Sequence, residues 1–155
     1  MSASSAHPGI GARHHRTPLE ITALGAGAVF ALVGVLGFIP GVTTNYAEMT
    51  FAGTESGAML LGIFQVSILH NIVHLLFGAA GLLMGRSALQ SKYYLIGAGA
   101  LYLVIWLYGL LIDQASSANF IPVNTADNWL HVVLGVVMLA VGILLGRGTG
   151  QAKAR

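Results

Sequence analysis

The sequence contains no cysteine, four prolines and very little charge. Each scarcity removes possibilities. Without cysteine there is no disulfide framework, no thiolate metal site and no cysteine nucleophile. Charged residues make up 8 % of the 155 positions, against roughly 25 % in ordinary soluble domains. So little charge cannot wet a whole surface, and most of that surface must face lipid or other helices. Catalytic constellations are missing too. There is no phosphate-cradling loop before a helix, no H-E-x-x-H and no plausibly placed serine–histidine–acid set, which points away from a hydrolase or transferase.

What the sequence does hold is long apolar runs. Four qualify as membrane spans: Ile21 to Ile39, Ala58 to Gly85, Tyr93 to Ile112 and Trp129 to Gly146. A helix needs roughly 20 residues to cross about 30 Å of hydrocarbon. The second run is longer, which suggests a tilted helix or extra outer turns before Ser67. None carries lysine, arginine, aspartate or glutamate in its middle. The expected fold class is all-α, an integral membrane four-helix bundle over residues 20–147, between cytoplasmic disordered tails at 1–19 and 148–155. The first tail, with Pro8 and Pro18, does not read as a cleaved signal peptide, and His7, His14 and His15 within it read as solvated. Residues 42–57 are open to three readings: a short helix, a lid or nothing ordered.

Charge gives the expected orientation. Arg13, Arg16, Arg86, Lys92, Arg147, Lys153 and Arg155 all fall on one side of a four-span topology, while Glu48, Glu55, Asp113 and Asp127 fall on the other. The positive-inside rule then places both termini in the cytoplasm. Basic tails beside an anionic leaflet account for the pI of about 9.2 without nucleic acid. Tyr93 and Tyr94 suit an inner interfacial belt, Tyr108 and Trp129 an outer one.

The chain also repeats itself. Residues 25–37, GAGAVFALVGVLG, and 97–109, GAGALYLVIWLYG, both spell G-A-G-A, eight residues and glycine. Asn71, His74, Gly78 and Gly85 share the spacing N-x2-H-x3-G-x6-G with Asn128, His131, Gly135 and Gly142. The outer loops share Phe-Ile-Pro, at 38–40 and 120–122. Two parallel-repeat helical hairpins, about 20–86 and 92–147, are therefore expected, related by a pseudo-twofold axis along the membrane normal. Small residues let backbones approach closely in lipid, so Gly25, Gly27, Gly78, Gly81, Gly85, Gly97, Gly99, Gly135, Gly142 and Gly146 are the expected packing positions, within one bundle or across a homodimer.

The candidate site is polar. His70 and His74, four apart, share a helix face with Asn71 beside it; Asp127 and His131 share another, with Asn128 beside it. Counting about 1.5 Å per residue, His74 lies roughly 18 Å from Arg86 and His131 roughly 24 Å from Arg147, both in the outer half of the membrane. Three readings follow. The first is interhelical glue that fixes register in a non-enzymatic scaffold or accessory subunit, with no cofactor. The second is ligation, by His70, His74, His131 and Asp127 of a divalent metal, or by His74 and His131 of a b-type haem; the close glycine packing counts against the macrocycle. The third is a small permeation or sensing unit, since intramembrane polar groups often mark a functional path. Tyr102 and Trp106, one turn apart, read as packed or lipid-facing aromatics rather than a quinone pocket.

The HN-x2-H of His70, Asn71 and His74 and the DNW-x-H of Asp127, Asn128, Trp129 and His131 resemble uncharacterised bacterial membrane proteins grouped as domain of unknown function 4383. The likeness covers roughly residues 20 to 147. It implies four spans and a bacterial plasma membrane, and it carries no activity.

Overall fold

A computed structural model describes residues 15–149; His7, His14 and most of both tails lie outside them. The described chain is mostly helical. Its order is α1 (Pro18–Leu36), β1 (Thr43–Thr44), β2 (Met59–Leu60), β3 (Phe64–Gln65), α2 (Ile68–Met84), α3 (Ala88–Leu111) and α4 (Thr125–Leu145), with single 3-10 turns at Tyr46–Glu48 and Gly146–Gly148. Three helices, α1, α3 and α4, are long and apolar enough to cross a membrane, and α2 is a shorter apolar helix. At 17 residues, α2 sits at the lower end of the spanning range.

Each helix starts where a polar side chain can accept the first orphan N–H groups. Thr17 and Glu20 form a capping box on α1, with Pro18 in the first turn, where its missing N–H costs nothing. Ser67 caps α2 by accepting from His70 N, and Ser87 caps α3 by accepting from Gln90 N. Asn124 and Asp127 form a second capping box on α4. Glycine stands at the C-cap of α1, α2 and α4.

The second apolar helix begins ten residues later than the apolar run suggested, at Ile68 rather than Ala58. Leu61 and Gly62 both have positive φ, 55° and 70°, a turn that an α-helix of L-residues cannot contain. The run from Ala58 to Val66 is instead an antiparallel hairpin, β2 on β3, with β1 added on its other edge. Residues 42–57 thus supply a strand and a 3-10 turn. Ala58, Leu60 and Val66 form a small core beneath the sheet, against Val33 and Leu36 near the end of α1.

The closest helix packing is α1 on α2 and α3 on α4, with lesser contacts between the pairs. Glycine makes it possible. A Cβ at Gly27 would stand 2.7 Å from Leu82 N, and one at Gly99 2.6 Å from Leu139 N. Backbone meets backbone at both places. Gly78 lies against Ala31 and Gly135 against Leu103; Gly85 lies against Leu24 and Gly142 against Ile96. Gly81 makes room for Tyr94 as well as Gly27, and Gly146 for Lys92. Gly25 and Gly97 differ from expectation: a Cβ at either would meet nothing within 4 Å. Both lie on outward faces, so the packing role belongs to the second glycine of each G-A-G-A.

Between the pairs lies a core of Phe30, Tyr94, Leu95, Tyr102 and Met138. Tyr94, expected at the interface, is buried, and its hydroxyl donates to Phe77 O at 3.1 Å. Tyr93, Tyr108 and Trp129 are exposed, as belt residues would be, among outward-facing Ile21, Leu32, Leu76 and Val104.

Candidate functional site

All six polar residues singled out from sequence are buried, yet they form three sets with different work, His70 belonging to two. The asparagines act inside each pair. A Cβ at Gly37 would overlap Asn71 Oδ1, and one at Gly109 would overlap Asn128 Oδ1. A glycine α-hydrogen therefore points at each amide oxygen. Neither oxygen has a conventional hydrogen-bond partner, and this recurring Cα–H···O geometry contributes roughly 0.5–1 kcal/mol per contact. Asn71 Nδ2 also reaches Met49 Sδ at 3.9 Å. The amides do not bond to the histidines. They seat the ends of α1 and α3.

His70 and Asp127 act between the pairs. Each is the third residue after its helix N-cap, Ser67 or Asn124. Each bonds to the backbone two residues before the other helix's N-cap: His70 Nδ1 lies 3.0 Å from Pro122 O, and Gln65 N donates to Asp127 Oδ2 at 3.0 Å. The swap of side-chain type follows from the partner. Proline has no N–H to give a carboxylate, so the group facing Pro122 must itself donate, whereas Gln65 has a free N–H for an acceptor. With Nδ1 donating, His70 keeps Nε2 as a lone pair. Asp127 Oδ2 also accepts from Asn124 N at 2.9 Å, so it is committed to capping and to β3. Asn124 Nδ2 donates to Ile63 O, and Gly53 N to Phe120 O, both at 2.7 Å; the α1–α2 and α3–α4 connections are laced together.

His70, His74 and His131 form the third set. Their ligand nitrogens lie within 4.8 Å of one another, and among the described residues Asp127 is not part of that group. The four-ligand metal set expected from sequence is thereby reduced to three imidazoles. His70 Nε2 and His74 Nε2 are 3.1 Å apart and their rings stack at 4.9 Å. His131 approaches from α4, its ring 6.3 Å from that of His70. Nδ1 of both His74 and His131 is buried without a partner.

Aromatic rings support these imidazoles. Phe30 meets His74 edge-on at 5.9 Å, Tyr102 meets His131 edge-on at 5.0 Å, and Phe30 and Tyr102 lie 5.3 Å apart. Tyr102 is therefore core, while Trp106 lies toward the N-terminal end of α4, beside Trp129 and Asn128. The layer made by Tyr102 and the three histidines borders two cavities. One, about 270 Å³, lies between α2 and α3 under Phe120 and Ile121; the other, about 100 Å³, lies between α4 and α1 under Leu60 and Phe64. Their walls correspond: Val73, Phe77 and Ile105 in the first stand where Leu130, Leu134 and Val33 stand in the second. The cavities and the reciprocal backbone ties have no signal in the sequence. Gly37 and Gly109 close each repeat motif, so their spacing was visible while their contact with an amide was not.

Four apolar helices around a buried polar layer define a small multi-span membrane protein. Over residues 20–144 the chain matches the profile of domain of unknown function 4383, and it belongs to that family. No curated protein matches it. No solved structure matches it either.

Proposed function

We propose that this protein is a non-enzymatic scaffold or accessory subunit of a complex in a bacterial plasma membrane. It is built from two repeated hairpins inserted the same way up, with both termini cytoplasmic. The observation that carries this reading is the correspondence of the close contacts: Gly27 on Leu82 N against Gly99 on Leu139 N, and Gly37 on Asn71 against Gly109 on Asn128. Such packing makes a rigid unit from little chain, with broad apolar faces left outward for lipid and partner helices. The ties between His70 and Pro122 and between Asp127 and Gln65 then fix one half on the other. Basic residues Arg16, Arg86, Lys92 and Arg147 at one end and Glu48, Glu55 and Asp113 at the other support the orientation.

Gentle detergent extraction from native membranes tests the role. The 16.1 kDa chain is expected to migrate as part of a larger assembly containing other membrane proteins. Migration only as a free chain, with ion or solute flux from that chain alone in liposomes, would replace this reading with the permeation one. The absence of cysteine makes the topology directly testable. A thiol reagent that cannot cross membranes should label Glu55→Cys in intact cells, and Gly148→Cys only after permeabilisation.

A further inference from the structure

We propose that His70, His74 and His131 bind one divalent first-row transition-metal ion, leaving a coordination position open toward the larger cavity. Two imidazole nitrogens on one tetrahedral ion, each bonded at about 2.0–2.1 Å, stand roughly 3.3 Å apart. The 3.1 Å between His70 Nε2 and His74 Nε2 is close to that spacing, and the third imidazole needs only a small ring movement from within 4.8 Å. His70 carries the support typical of a metal-bound imidazole: its other nitrogen is held by a backbone carbonyl, Pro122 O, which fixes the tautomer with the Nε2 lone pair turned toward His74 Nε2. His131 Nδ1 is buried and unpaired, which is costly for a polar atom, and ligation through this nitrogen would relieve it.

The donor set selects the ion. Neutral imidazoles suit zinc, copper, nickel or iron, whereas calcium and magnesium need several oxygen ligands. Three protein ligands leave one position of a tetrahedron vacant, and the 270 Å³ cavity borders all three histidines. A dication among neutral ligands also needs compensating charge. Asp127 borders the smaller cavity together with the same three histidines, near enough to supply part of it without ligating.

The test uses the full chain in detergent with His7, His14 and His15 replaced by alanine, so that tail histidines take no metal. After chelator stripping, this protein should take up about one Zn²⁺ per chain and unfold at a higher temperature with zinc present, as expected when a ligand binds only the folded state. Both effects should fall more than tenfold in zinc concentration dependence for His74→Ala or His131→Ala, and by less in Asp127→Asn, which removes compensating charge but no ligand. Should those variants not fold, Cu²⁺ bound to the parent chain gives the answer directly, since its EPR spectrum reports coordinated imidazole nitrogens. No zinc uptake by the folded parent, uptake unchanged by the histidine substitutions, or a copper spectrum without imidazole couplings would each overturn the site. Whether the chain joins a larger assembly does not enter this measurement.

Discussion

In the first helix pair Gly27 rests on the backbone of Leu82, and in the second Gly99 rests on that of Leu139, at nearly the same separation. A few turns outward the two pairs part company. The link from α1 to α2 forms a three-stranded sheet, while the link from α3 to α4 is a short loop tied by Asn119, whose side chain bonds to Gln114 O, Val123 O and Val123 N. The third residue of the capped helix is His70 in one pair and Asp127 in the other. Where backbones touch, geometry leaves no freedom and the pairs agree. Where a side chain meets the opposite half, the partner's chemistry differs and so does the residue. A third imidazole in the polar layer is a product of that difference.

The largest effects should come from the shared contacts. Gly27→Leu and Gly99→Leu each drive a side chain into a backbone that cannot yield, so each should cost 3 kcal/mol or more, above the roughly 1–3 kcal/mol usual for overpacking. Thermal unfolding in detergent, followed by helix circular dichroism, would show it. Loss of the fold in one variant and tolerance in the other would break the equivalence of the pairs.

Next come the crossed ties, where the two halves should respond unequally. Asp127→Ala removes the return bond of the capping box, from Asn124 N, worth about 1 kcal/mol, and also strands the Gln65 N–H, which costs about 1–3 kcal/mol more if it stays buried. His70→Ala removes the bond to His74 Nε2 and the tie to Pro122 O, and the loss at a carbonyl is the milder of the two backbone ties. A drop in stability of about 2–4 kcal/mol for Asp127→Ala, exceeding that of His70→Ala measured without metal, is the expected order. The reverse order would mean that the Asp127 bonds to Asn124 and Gln65 add little.

Gly37→Ala and Gly109→Ala should follow, at about 1–3 kcal/mol each, the range for an added methyl in a packed site. The new methyl must displace a buried amide rather than a backbone, and amides can rotate. Asn71→Ala combined with Gly37→Ala should restore part of the loss, because the obstacle is then gone; an additive penalty would remove the amide contact from the account.

How much of this was legible beforehand differs by kind of interaction. The helices were visible because lipid demands long apolar runs, and the contact glycines because they recur at fixed spacing. The polar layer was visible because histidine and asparagine are conspicuous in apolar helices. The sheet was not, since an apolar run shows no period that separates a buried strand from a helix; Gly57 just before that run and Gly62 within it, with Ser67 as a cap, were the available warnings. Bonds such as His70 to Pro122 leave no mark either. A backbone carbonyl belongs to every residue, so nothing in the sequence distinguishes the one that is used. Likewise, Asp127 looked like a fourth ligand because spacing put it beside His131, although its oxygen was already engaged by two N–H groups.

The smallest effect is also the sharpest control. Gly25 and Gly97 open the two G-A-G-A segments, yet nothing lies within 4 Å of a Cβ at either. Gly25→Ala and Gly97→Ala should therefore be neutral or stabilising by up to about 1 kcal/mol, the gain in helix propensity over glycine. Because both positions face outward, the same substitutions probe a second copy of the chain. If the outward glycines were a homodimer seam, alanine there would weaken self-association measured by energy transfer between labelled chains in liposomes, while leaving the unfolding temperature of the dilute chain unchanged or higher. Unchanged association, with unchanged or raised stability, would confine the packing role to Gly27 and Gly99, two residues further along, where a change of about 200° around the helix turns glycine from the outside of the bundle to its seam.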